Sequence, residues 1–246
     1  MAKEFEPISN LIQSAKIKWL RKAVADEELR SIVKENIEEF NMLMTYYRCA
    51  MMEVETKIKV LREEFALEIN RNPIEYYKTR LKSESSIIEK LQRRGLSTDL
   101  KTMEENLFDI AGIRVVCSYP QDVYTLADCL IRQDDITLIE MKDYIKNPKP
   151  SGYRSLHLIV EVPIFLKNEK RLVKVEIQLR TIAMDFWASV EHKLQYKQKV
   201  NQEEAENLAR ELAECAEIST ALDYRMQSIR NRISDIEEER EDENID

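Results

Sequence analysis

Histidine, cysteine and long apolar runs are scarce in this 246-residue sequence, and each scarcity removes a class of function. The two histidines and four cysteines do not supply the closely spaced ligands of a structural zinc site, because Cys49, Cys117, Cys129 and Cys215 lie far apart with no Cys-x-x-Cys pair. These four residues read as buried free thiols. Uncharged runs such as Leu156 to Val160 and Ile182 to Met184 are far too short to cross a bilayer. The first residues lack the apolar core of a signal peptide, so no membrane partner and a cytoplasmic location are expected. The formal charge of −8 argues against general nucleic-acid affinity, and no DNA partner is expected.

Hydrophobic residues at 43% and charged residues at 34% describe a globular protein whose helices carry charged outer faces. The length suits a catalytic domain of modest size with helical additions. Neither glycine nor proline interrupts the chain from Val33 to Asn72, where apolar residues fall at Val33, Ile37, Phe40, Met44, Tyr47, Met51, Val54, Ile58, Leu61 and Phe65. That alternation of four and three predicts a long heptad-patterned helix, with a shorter helix before it. Leu208, Leu212, Cys215, Leu222, Met226, Ile229 and Ile233 repeat the spacing and predict a second long helix able to pack on the first. The acidic run beyond Ile233 reads as a disordered tail.

Between the two helices the period changes to two. Strands are predicted at Ile113 to Cys117, Ile136 to Met141, Ser155 to Val162 and Arg171 to Arg180, with a helix near Pro120 to Arg132. In the last strand Val173, Val175, Ile177 and Leu179 form an apolar face, and Lys174, Glu176, Gln178 and Arg180 a polar one. The expected fold is α+β: a mixed or antiparallel sheet with an open polar face, packed helices, and long helices at both ends. The expected organisation is a helical segment over 1–71, a catalytic core over 72–198, a helical segment over 199–233 and the acidic tail over 234–246.

Arg71, Lys78, Arg80, Lys82, Lys90, Arg93 and Arg94 face only three acids and make a basic island suited to a polyphosphate, although from the island alone a solvated helix face is the better reading. Ser86 lies one turn before Lys90. Asp109 precedes a strand and Glu176 lies mid-strand; two such carboxylates can hold Mg²⁺, or each can simply pair with Arg114 or Arg180. Glu176 is also placed to take a proton from an attacking hydroxyl. In the loop from Asn147 to His157, Tyr153 is suited to stack on a base, and Lys149 and His157 to reach phosphates, with a plain surface turn as the alternative.

Five stretches in order resemble the synthetase domain of the RelA/SpoT family: the basic island, DIAGIRVVC, PKPSGYRSLH, VKVEIQLRT and AMDFWASVEHKLQYK. The match covers roughly Asn72 to Lys197, and the helical ends make the chain look most like the small stand-alone alarmone synthetases, which implies a nucleotidyltransferase-like core and a homotetramer. The resemblance implies transfer of the β,γ-diphosphate of ATP to the 3′-hydroxyl of GDP or GTP. It implies that Arg80 and Arg114 sandwich adenine, and that Lys82, Ser86, Lys90 and Arg93 hold the ATP phosphates. Asp109 and Glu176 would bind Mg²⁺, with Glu176 also activating the hydroxyl. Tyr153 would stack on guanine with Lys149 and His157 at the acceptor phosphates, while Gln178 and the turn from Ala183 to Asp185 fix the acceptor. Asp185 either reads guanine or merely starts a helix, and a Lys142 contact is equally open. The hydrolase of the long relatives needs a His-Asp pair and further histidines that His157 and His192 do not provide, so synthesis without hydrolysis is expected. Two other readings remain: a Mg²⁺-dependent nucleotidyltransferase acting on RNA, and a non-catalytic nucleotide-binding helical module. The cluster Lys16, Lys18, Arg21 and Lys22 reads as a regulatory contact or a solvated helix face.

Overall fold

A computed structural model describes residues 27–68, 72–195 and 202–243. The cluster from Lys16 to Lys22, the helix expected before Val33, Arg71, Lys197 and the side chain of His192 lie outside the described residues. Two compact units divide the chain between Tyr46 and Tyr47, and the second holds the sheet and everything after it. Helix α1 spans Glu27–Glu68. The heptad residues Tyr47, Met51, Val54, Ile58, Leu61 and Phe65 are its buried side within the second unit.

The core is a five-stranded mixed sheet of order β1-β2-β5-β4-β3, built from β1 (Ile74–Leu81), β2 (Ala111–Cys117), β3 (Thr137–Asp143), β4 (Leu156–Phe165) and β5 (Lys170–Thr181). Every neighbouring pair is antiparallel except β2 with β5. The α+β expectation holds. The sequence reading missed β1, whose residues it assigned to the basic island. Its cationic alternation hides a strand with Lys78 and Arg80 on one face and Tyr77 and Leu81 on the other.

Val173, Val175, Ile177 and Leu179 of β5 and Leu156, Leu158, Val160 and Val162 of β4 are buried on the packed side. Pro120 opens α4 (Pro120–Ile131), which buries Val123, Leu126, Ala127 and Leu130. Ser83 caps α2 (Glu84–Arg93) by accepting from the Ser86 amide, and Asp99 caps α3 (Leu100–Asn106) through Thr102. Ile87 and Leu91 anchor α2 to the core, so Lys90 on the same helix is carried to the sheet edge.

Helix α5 (Ile182–Gln195) follows β5 directly, and α6 (Gln202–Glu243) packs on α5 and α4. Two expectations change here. The acidic run continues α6 as far as Glu243 instead of being disordered, because Glu and Arg are strong helix formers. The heptad stripe of α6 does not face the core: Leu222, Met226, Ile229 and Ile233 are exposed, while Ala216, Asp223 and Thr220 turn inward. Polar partners explain the choice. Arg154 Nη1 donates to Thr220 Oγ1 (3.0 Å) and lies 3.5 Å from Asp223 Oδ2, which also accepts from Thr181 Oγ1 (2.8 Å). Burial pushes the Asp223 carboxyl up, with Thr181 and Arg154 opposing it. Of the cysteines only Cys117 is buried; Cys49 and Cys129 are half-buried, Cys215 is exposed, and none forms a disulfide. No helix among the described residues is long and apolar enough to cross a membrane.

Candidate active site

Register places two rows of side chains across the open face of the sheet. Arg80, Gly112, Glu176 and Ile159 form one row; Lys78, Arg114, Gln178, His157 and Lys142 form the next. Gly112 leaves the floor bare between Arg80 and Glu176. Arg80, Lys82, Asp109, Arg114, Glu176 and Gln178, with Lys78 and Thr79, line a cleft of about 460 Å³, a size suited to a nucleotide. Two cations of β1 and two carboxylates, Asp109 just before β2 and Glu176 on β5, thus share one concavity.

At one edge, Asp109 Oδ2 accepts from both Lys82 Nζ and Lys90 Nζ at 2.6 Å. Burial pushes this carboxyl up, but the two ammonium donors outweigh it and hold it below its ordinary range. Burial pushes Lys90 down against the pull of Asp109. Asp109 Oδ1 is buried with no hydrogen-bond partner. Ser86 accepts from Ser83 Oγ (2.9 Å), and Arg93 is exposed at the end of α2; neither lines the cleft.

At the centre, Glu176 Oε1 lies 3.2 Å from His157 Nδ1, and Glu176 Oε2 accepts from Gln178 Nε2 (2.8 Å). Burial raises the Glu176 carboxyl most strongly of any one influence, but His157 and the Gln178 donor together outweigh it and hold the group ionised below its ordinary range. His157 is buried and its Nε2 lies 2.9 Å from the Tyr153 hydroxyl. The Lys149 ammonium sits 4.8 Å from the Tyr153 ring centroid, so a base stacking there must displace it. Lys142 is in register with His157 but pairs with Glu140 (2.8 Å).

The third group is the one sequence reasoning read least well. Asp185 is buried and receives Tyr76 Oη (2.7 Å), Arg180 Nη1 (3.0 Å) and Arg114 Nη1 (3.1 Å). Burial raises it, and these donors more than compensate. Asp185 also drives Tyr76 up to about 12, after burial itself. From the first turn of α5, where the helix-start expectation put it, the residue also ties β1, β2, β5 and α5 together. Ala183 offers its carbonyl to Ser219 Oγ (3.2 Å), away from the cleft. Tyr76 was missed as a participant, while Lys78 was read only within the basic island and Arg180 only on the polar face of β5 and as a pairing partner for Asp109 or Glu176.

The region found in RelA and SpoT proteins matches residues 79–201. The chain belongs to the RelA/SpoT family. The GTP pyrophosphokinase YwaC of Bacillus subtilis strain 168 is 43% identical over 201 residues, covering 82% of this chain and 95% of YwaC. The crystal structure of small alarmone synthetase 2 from Bacillus subtilis superposes with a TM-score of 0.70 at 42% identity, over 79% of this chain and 99% of that one. Small alarmone synthetase 1 from the same organism, bound to its product pppGpp, gives 0.72 at 35% identity over 80% and 98%. The RelA/SpoT match runs from within β1 past the end of α5 and so includes both carboxylates and the Tyr153 loop.

Because Asp109, Glu176 and Asp185 are all depressed, each stabilises the fold above its unfolded value and loses that contribution as pH falls through its lower folded value. The thermal midpoint is therefore expected to stay flat from about pH 7 to about pH 5 and to fall below about pH 4. A melt series in constant ionic strength checks this, and a midpoint already dropping near neutrality counts against the assignment.

Proposed function

We infer that this chain is a GTP pyrophosphokinase: it transfers the β,γ-diphosphate of ATP to the 3′-hydroxyl of GDP or GTP and releases AMP. The observation that carries the reading is an ionised Glu176 at the centre of a polar sheet face, across a bare floor from cations that suit a triphosphate. The acceptor oxygen forms a bond to the β-phosphorus, the bond from that phosphorus to the α,β-bridging oxygen breaks, and the hydroxyl proton passes to Glu176. Lys82 and Lys90, with Arg80 and Lys78 nearby, balance the charge of the phosphates. Tyr153, Lys149, His157 and Gln178 form the acceptor side.

Asp109 and Glu176 fit Mg²⁺. Asp109 Oδ1 is buried without a partner, and each oxygen of Glu176 keeps a lone pair beyond its single donor. The ion would neutralise phosphate charge and orient the triphosphate. Incubation with ATP, GDP and Mg²⁺ tests the reading: AMP and guanosine tetraphosphate are expected in equal amounts. Release of pyrophosphate without AMP points instead to nucleotidyl transfer and overturns it.

The exposed apolar stripe of α6 supports assembly into a homotetramer through helices. Light scattering at micromolar protein is the check, and a monomeric mass defeats the assembly.

A further inference from the structure

Arg180 is not itself part of the cleft lining, yet two chains of hydrogen bonds run from it to the two oxygens of Glu176. It is 4% exposed. Its Nη2 donates to Tyr153 Oη (2.6 Å) and to Gln178 Oε1 (3.4 Å). Its Nη1 is fixed by Asp185. Its Nε is buried without a partner, so the guanidinium is placed to serve its terminal nitrogens and not to satisfy every donor.

Counting donors gives each chain a direction. The Tyr153 hydroxyl oxygen already accepts from Arg180 and from Ser155 Oγ (3.0 Å). A hydroxyl has two acceptor sites and one proton, so that proton has one destination left, His157 Nε2 at 2.9 Å. An accepting Nε2 places the ring proton on Nδ1, where it faces Glu176 Oε1 at 3.2 Å. The acceptor-only carboxylate at the far end demands the same tautomer independently. In the second chain the Arg180 N–H fixes the Gln178 carbonyl, which turns the amide NH₂ toward Glu176 Oε2 at 2.8 Å.

We propose that Arg180 is a positioning residue for Glu176: through Tyr153 and His157 on one side and Gln178 on the other, it fixes the carboxylate plane and presents a donor to each oxygen. The proton-accepting lone pairs are thereby aimed into the cleft before substrate arrives. Tyr153 acquires a second task beyond holding the acceptor, because its hydroxyl proton is donated to His157 Nε2 and holds the ring against Glu176.

The proposal rests on Glu176 being the base, and the test separates the two ideas. With only two histidines in the chain, ¹⁵N ring-labelled protein gives two imidazole spin systems, and a His192→Gln variant assigns them. His157 is expected as the Nδ1–H tautomer. Tyr153→Phe removes the hydroxyl while Glu176 still faces Nδ1, so the ring should stay Nδ1–H but its Nε2 resonance should shift, with kcat down about tenfold or more. Arg180→Lys keeps the charge but not the fork; kcat should fall about 10- to 100-fold, with the KM for ATP within about twofold. A wild-type Nε2–H tautomer, or a Tyr153→Phe protein with an unmoved Nε2 resonance or wild-type kcat, overturns the proposal even if Arg180→Lys does not fold. So does an Arg180→Lys protein that loses only thermal stability. A wild type showing the tautomer and the Nε2 shift on Tyr153→Phe but forming no AMP leaves the network standing and removes the assigned reaction.

Discussion

Glu176→Gln is expected to lower kcat by about 10²- to 10⁴-fold while leaving affinity for a non-hydrolysable ATP analogue within about threefold. The substitution preserves shape and changes two things. The amide cannot accept the 3′-hydroxyl proton, and its own NH₂ must face either His157 Nδ1–H or the Gln178 NH₂, donor against donor. The cations that hold the triphosphate, Lys82, Lys90, Arg80 and Lys78, are untouched, so binding should persist. Quantifying AMP formation beside calorimetric titration of the analogue resolves the two quantities. Turnover within about threefold of wild type would remove Glu176 from proton transfer.

Asp109→Asn is the second large effect, and its sign distinguishes two roles. As a Mg²⁺ ligand, Asp109 contributes charge, so the variant should need about 10- to 100-fold more Mg²⁺ for half-maximal rate. As a mere counter-charge for Lys82 and Lys90, its loss would free both ammonium groups for phosphate, and ATP should bind more tightly with unchanged Mg²⁺ dependence. The buried, unpartnered Oδ1 favours the first. Rate measured against Mg²⁺ at fixed ATP separates the two curves, and tighter ATP binding with an unmoved Mg²⁺ midpoint would reassign the residue as structural.

The legible parts of the fold were those where one physical signal dominated. The two-residue period of β5 exposed Glu176 and Gln178 because its other face is uniformly apolar, and the uninterrupted heptads announced α1 and α6. Strand β1 was illegible because its edge position lets Lys78 and Arg80 reach the cleft, which makes a strand look like a charged helix face. The outward turn of the α6 stripe was hidden because Asp223 and Thr220 find Arg154 and Thr181 only in the folded chain. The tie that Asp185 makes was hidden for the same reason: its donors Tyr76, Arg114 and Arg180 come from three different strands.

The parallel pairing of β2 with β5 ties catalysis to completion of the fold. From Asp109 the chain must run through α4, β3, the Tyr153 loop and β4 before β5 can return beside β2 and bring Glu176 into the same cleft. Such a non-local ladder closes late, since its loop entropy is recovered only when the intervening elements are in place. A chain emerging from the ribosome or partly unfolded by heat therefore keeps its phosphate-binding cations on one piece and its base on another. It cannot consume ATP or release a signal until the whole sheet is assembled, so the output of the enzyme reports folded protein only.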